Sequence, residues 1–177
     1  MVFARGTGEP PGVGLVGQAF VDAFSAQVGG RSVGVYAVNY PASDNYLSSA
    51  ADGSSDAQAH IESVIASCPG TKVVLGGYSQ GAAVTDLATA ALPPQTSDHV
   101  AAIALFGTPS SGFSSMLAGG NQLPTTSPAY VGKTIDLCID GDPICSAGGN
   151  MLAHISYVQS GMTDQAATFA ATKVDQH

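Results

Sequence analysis

One turn constrains this chain more than any other stretch. Lys72–Tyr78 (KVVLGGY) reads as a short buried strand, because Val73, Val74 and Leu75 form a continuous apolar, β-rich run. Gln80–Ala91 (QGAAVTDLATAA) reads as a helix. Ala82, Ala83, Leu87, Ala88, Ala90 and Ala91 are good helix formers, and no Pro or Gly interrupts them. Ser79 stands between the two, inside Gly77-Tyr78-Ser79-Gln80-Gly81, a G-x-S-x-G pattern. In a strand-to-helix turn this sharp the serine is strained, and the residues two places either side must be small. The hydroxyl then stands at a helix N-terminus, where backbone N–H groups favour a developing negative charge. In a chain rich in Gly and Ser the bare pattern also fits an ordinary glycine-rich turn. The strand before it and the helix after it make Ser79 a candidate nucleophile.

The rest of the chain alternates in the same way. Met1–Ala4 reads as a strand that runs into the loop Arg5-Gly6-Thr7-Gly8-Glu9-Pro10-Pro11-Gly12. A helix is expected over Val13–Val28, with Leu15, Val16, Ala19, Phe20, Ala23 and Phe24 at helical spacing and Gly29-Gly30 ending it. Val33–Val38 is a second expected strand. Ala42–Gly53, polar and small, reads as a loop, and a helix is expected to begin at Ser54 or Ser55 and reach Ser67. Val100–Phe106 is a further buried strand, Val131–Ile139 the last one, and Thr163–Lys173 the final helix. Strands alternating with helices predict an α/β fold with a mainly parallel sheet. On such sheets ligands bind at the carboxyl ends of the strands, where Thr7, Ser79, Thr108 and Asp142 all fall.

Composition excludes several function classes. The length of 177 residues suits one domain spanning 1–177. A net charge of −8 with only five Lys and Arg leaves no basic patch for nucleic acid. No run reaches the apolar length of a membrane span. The start, Met1-Val2-Phe3, has neither a charged region nor an apolar signal core, so a removed signal peptide and a truncated mature N-terminus are expected. Cys138 and Cys145 flank a Gly-Asp-Pro turn with no further Cys or His at ligand spacing, which favours a disulfide over a metal and an oxidising compartment. Cys68 is the odd cysteine.

A serine hydroxyl needs a base, and the base needs a group that orients it. His177 is terminal, His60 lies in a surface helix, and His99 precedes a strand at the far edge of the sheet. His154 follows both the serine and a post-strand acid, the Ser–Asp–His order of hydrolases built on this turn. Asp136, Asp140 and Asp142 compete as the acid. Asp142, between Gly141 and Pro143 in a bridged loop, is held most rigidly, although an Asp-Pro turn also occurs with no catalytic role. Oxyanion donors are expected from the N–H of Gln80 and from Thr7, by its N–H and hydroxyl.

Ala4-Arg5-Gly6-Thr7-Gly8-Glu9, Gly76-Gly77-Tyr78-Ser79-Gln80-Gly81 and the Cys138–Cys145 loop around Asp142 together resemble the cutinases, over nearly the whole chain. The secreted cutinase-like proteins of mycobacteria and related actinobacteria are the most similar. The resemblance implies a small α/β-hydrolase with a central five-stranded sheet and no large lid. It implies a monomeric, secreted serine esterase acting on carboxylic esters, lipids or polyesters, without metal or cofactor. Ser79 would be the nucleophile, His154 the base, Asp142 its orienter, and Thr7 with Gln80 the oxyanion hole. Asn45 would steady the Thr7 hydroxyl, and Leu152 and Ile155 would be an acyl-chain wall. The family also implies a partner for Cys68 ahead of Met1, so Cys68 is expected to be free. Acetylxylan-type deacetylation, phospholipase or thioesterase activity, and a non-catalytic envelope role are the alternatives.

Overall fold

The computed structural model describes residues 1–177. Five strands form one parallel sheet: β1 (Val2–Ala4), β2 (Tyr36–Ala37), β3 (Val73–Tyr78), β4 (Val100–Phe106) and β5 (Thr134–Leu137), in the order β2-β1-β3-β4-β5. Six helices accompany them: α1 (Gly14–Gln27), α2 (Tyr46–Ser67), α3 (Gln80–Ala91), α4 (Gly112–Leu117), α5 (Met151–His154) and α6 (Met162–Gln176). The α/β expectation therefore holds, and every strand pairing is parallel.

Alternation along the central strands builds two cores, because successive side chains point to opposite faces. Val73 and Leu75 of β3, with Val100, Ile103 and Leu105 of β4, meet Ala50, Ala57 and Ile61 of α2 and Ala82, Val84 and Ala88 of α3. Val74, Ala102, Ala104 and Phe106 face the other way, onto Phe20 and Phe24 of α1 and Ala166, Ala167 and Ala170 of α6. The chain order reverses between β1 and β3, which pair with Ala4 opposite Gly77. A crevice opens at such a switch point, at the carboxyl ends of the strands. The residues after β1 and after β3 are thereby neighbours.

Three boundaries and one buried face differ from expectation. The second strand shrinks to Tyr36–Ala37, because it lies at the sheet edge and its only partner, β1, is three residues long. The last strand starts at Thr134 rather than Val131, after a 3-10 turn over Pro128–Lys133 that buries Tyr130. Helix α2 starts at Tyr46, eight residues before Ser54. Its first turns are small because they pack tightly: a Cβ on Gly53 would lie 2.9 Å from both the Tyr40 ring and Val84. Leu15, placed on the apolar face of the first helix, is exposed, and Val16, Phe20, Val21 and Phe24 form the buried stripe.

Candidate active site

The elbow has the strain that its sequence predicts. Ser79 has φ 58° and ψ −121°, a region that a non-glycine residue adopts only where the surroundings enforce it. A Cβ on Gly77 would overlap the Gly81 carbonyl, and one on Gly81 would overlap the Ala4 carbonyl. Both glycines are needed for the helix to approach the sheet. The half-buried Ser79 hydroxyl stands at the amino end of α3, where the helix N–H groups converge.

His154 Nε2 lies 2.8 Å from Ser79 Oγ, and His154 Nδ1 lies 2.7 Å from Asp142 Oδ2. Three points far apart in sequence thus form one hydrogen-bonded chain. His154 closes the short helix α5, whose N-cap Asn150 accepts the Leu152 N–H. Its ring lies over Gly107, where φ is +60° and a Cβ would come within 2.9 Å of His154 Cε1. Asp142 is fully buried. Burial alone would raise its carboxyl, but hydrogen bonds from His154, Tyr157 and the Ile144 N–H outweigh it and hold the group below the usual carboxylate range. Cys138 and Cys145 are bridged, which closes the loop around it. The loop after β4 ties this bridged segment down, as the Ser110 N–H and Ser114 hydroxyl both donate to the Ile144 carbonyl.

The loop after β1 is equally constrained. Buried Arg5 donates to the carbonyls of Glu9 and Tyr40, and the Glu9 carboxylate accepts the N–H groups of Gly6 and Leu15. Thr7, between them, faces solvent. Its hydroxyl oxygen accepts a hydrogen bond from Gln80 Nε2 at 3.0 Å. The same nitrogen donates to the Ser43 carbonyl at 2.9 Å, and Gln80 Oε1 accepts from the Ser49 hydroxyl at 2.7 Å. The Thr7 hydroxyl accepts in that bond, so its own proton is not spent on Gln80.

One assignment moves, and the other candidates are accounted for. Asn45 is the N-cap residue of α2, makes no side-chain cap bond, and does not touch the Thr7 hydroxyl; the Gln80 side chain holds that hydroxyl instead. Asp136 is occupied by the Thr108 hydroxyl at 2.7 Å, away from His154. His60 is stacked on Tyr36 at 3.6 Å. Leu152 and Ile155 are 70% and 62% exposed, so they rim the site rather than fill the core. Cys68 is free and exposed.

Two tyrosines had no place in the sequence reading. Tyr78 stacks on the His154 ring at 5.0 Å and donates its hydroxyl to the His154 carbonyl at 2.6 Å. Tyr157 donates to Asp142. The available signals were the position just before the serine of the G-x-S-x-G motif and a spacing of three beyond His154. A cavity of about 710 Å³ lies elsewhere, lined by Phe24, Val28, Tyr36, Ile61 and Val174 at the amino-terminal ends of the strands. It holds no paired nucleophile and base, so the chemistry is assigned to the opposite end.

With this geometry in place, comparison with known proteins is informative. The family model described as Cutinase matches residues 1–174. The chain is 67% identical over 175 residues to Carboxylesterase Culp1 of Mycobacterium tuberculosis, spanning 99% of this chain and 81% of that protein. It is 50% identical to Phospholipase Culp4 of the same organism, spanning 98% and 77%. Among solved structures, a Trichoderma reesei cutinase bound to a phosphonate inhibitor superposes with a TM-score of 0.78 at 37% identity, covering 98% of this chain and 75% of that one. An acetylxylan esterase superposes with a TM-score of 0.82 at 26% identity, covering 98% and 96%. No helix is long and apolar enough to cross a membrane. By sequence, by fold and by the arrangement at the switch point, this chain belongs to the cutinase family.

Proposed function

We propose that this chain hydrolyses carboxylic esters through an acyl-enzyme formed on Ser79. The observation that carries the reading is the unbroken hydrogen-bond chain from Ser79 through His154 to buried Asp142. Ser79 Oγ attacks the ester carbonyl carbon, and its proton passes to His154 Nε2. The carbonyl oxygen becomes an oxyanion, held by the N–H of Gln80 and by the N–H and hydroxyl of Thr7. Asp142 accepts the Nδ1–H, which fixes the tautomer and stabilises the imidazolium. As the intermediate collapses, His154 gives its proton to the leaving alcohol. Water then attacks the acyl-enzyme by the same route and releases the acid. The residues supply nucleophile, base and oxyanion donors without calling on a metal.

The exposed rim of Leu152 and Ile155 suits short to medium acyl chains of lipids or polyesters. The disulfide fits an oxidising compartment, and we place the protein outside the cytoplasm, secreted or held at the cell envelope, as a monomer. The acetylxylan esterase likeness supports a second reading, removal of acetyl groups from a polysaccharide. A panel running from acetylated xylan to butyrate, octanoate and phospholipid esters separates the two. A fluorophosphonate probe should label the wild type and not Ser79→Ala, and the variant should lose ester turnover. Undiminished turnover by Ser79→Ala sinks the mechanism.

A further inference from the structure

We propose that Tyr157 is a positioning residue for this hydrolysis, holding the Asp142 carboxylate through the same oxygen that faces His154. The proposal rests on the Ser79–His154–Asp142 reading above. The Tyr157 hydroxyl donates to Asp142 Oδ2 at 2.6 Å, while His154 Nδ1 meets that atom at 2.7 Å. Oδ1 is taken by the Ile144 N–H at 2.9 Å. Both ends of the carboxylate are therefore tied, and it cannot turn about its last torsion without losing a partner.

The direction of the tyrosine proton is settled by its other neighbours. The Tyr157 oxygen accepts the Ile139 N–H at 3.2 Å, and Cys145 Sγ lies 3.5 Å away. An N–H can only donate, so the phenol proton goes to the carboxylate. The ring is wholly buried, packed edge-on against Phe106, Tyr78 and His154. Burial, with the Asp142 hydrogen bond adding to it, pushes the phenol far above its ordinary value, so it remains a donor at every working pH. The charged and titratable groups around Asp142 are His154, Tyr157 and, behind the imidazole, Tyr78; the ion pair with His154 is the only one Asp142 makes.

Two consequences separate this role from simple core filling. A donor on Oδ2 draws charge from the atom that supports the imidazolium, so removing it makes Asp142 a stronger acceptor and His154 more basic. It also frees the carboxylate to rotate, so the imidazole is held less well towards Ser79. A residue that only fills space would change stability and neither of these.

The test uses Tyr157→Phe with p-nitrophenyl butyrate, with active sites counted by fluorophosphonate labelling of Ser79. Losing a hydrogen bond to a charged group is expected to lower kcat per labelled site about tenfold, with KM within about twofold. The acid limb of the kcat profile should move up by about half a unit. The downfield Nδ1–H proton resonance of His154 should also shift. Because Tyr157→Phe could fold poorly, 3-fluorotyrosine at position 157 serves as the second arm. It keeps the shape and strengthens the donor, so the acid limb should move down. An acid limb and a kcat per labelled site unchanged in both arms overturn the role of Tyr157 alone. A wild type whose Ser79 takes no label overturns the underlying triad reading as well.

Discussion

Thr7→Val tests the proposed hydrogen bond from the Thr7 hydroxyl to the transition state. Valine keeps the branched shape and the backbone N–H and removes only the hydroxyl. Gln80 Nε2 donates to that hydroxyl at 3.0 Å, and the amide is oriented by the Ser43 carbonyl and the Ser49 hydroxyl. With its oxygen already accepting from Gln80, the Thr7 hydroxyl keeps its proton for another acceptor, which is the preorganisation the proposed oxyanion donor needs. Removing one such donor costs about 3 kcal/mol of transition-state stabilisation, or a kcat loss of roughly a hundred- to a thousand-fold. The oxyanion exists only after attack, so KM should stay within about threefold. Thr7 is exposed, so stability should change by less than about 0.5 kcal/mol. Thr7→Ser should retain most of the activity. Gln80→Met, which leaves the Thr7 hydroxyl unguided, should lower kcat alone and add little in the Thr7→Val background, because both changes act on one proton. Initial rates on p-nitrophenyl butyrate, with thermal midpoints for each variant, make the measurement. A Thr7→Val enzyme within about fivefold of wild type in kcat would refute the reasoning.

The remaining predictions concern the scaffold. Replacing Cys138 and Cys145 by serine opens a loop of sequence separation 7 and should lower unfolding free energy by about 2–3 kcal/mol in urea titrations. It should also lower kcat more than KM changes, because Asp142 rides on that loop. Gly81→Ala should yield no folded protein, or one destabilised by about 3 kcal/mol or more, since the added carbon meets the Ala4 carbonyl; solubility and circular dichroism decide it. Asp86, on the buried face of the elbow helix, has its carboxyl pushed up to about 7 by burial, against the Thr126 hydrogen bond and with the nearby Asp136 charge adding to the rise. A folded value above the unfolded one means that stability is full below about pH 4 and is lost as pH rises through 7. Asp86→Asn should therefore gain on the order of 2 kcal/mol over wild type at pH 8 and little at pH 4, read from urea midpoints.

What could be read from the sequence follows from what each residue is required for. The elbow was legible because its demands are local: Gly77 and Gly81 answer to a backbone collision, and Ser79 to the position between strand and helix. The Cys138–Cys145 bridge was legible from spacing for the same reason. The start of α2 was not. Ser49, Ala50 and Gly53 carry almost no hydrophobic signal, and their helical state comes from fitting against Tyr40 and α3, a tertiary fact with no period in the chain. Asn45 was misplaced for a different reason: the resemblance implied an asparagine steadying the Thr7 hydroxyl, whereas the elbow already supplies an amide for it in Gln80. On the proposed reading one residue does two jobs, its backbone N–H meeting the oxyanion and its side chain holding the second donor.

That economy explains why the supporting residues were the hardest to see. Tyr78 and Tyr157 are aromatic and buried, which is what ordinary core residues look like in sequence. Their hydroxyls set them apart. A buried phenol usually finds a partner, and here both partners belong to the proposed site: the His154 carbonyl for Tyr78 and the Asp142 carboxylate for Tyr157. Tyr130 shows the contrast. It is equally buried, and its hydroxyl finds no partner. A phenol in a core is not evidence of a role, so the assignment of Tyr157 depends on what its proton points at and on whether the pH profile moves when that proton is removed.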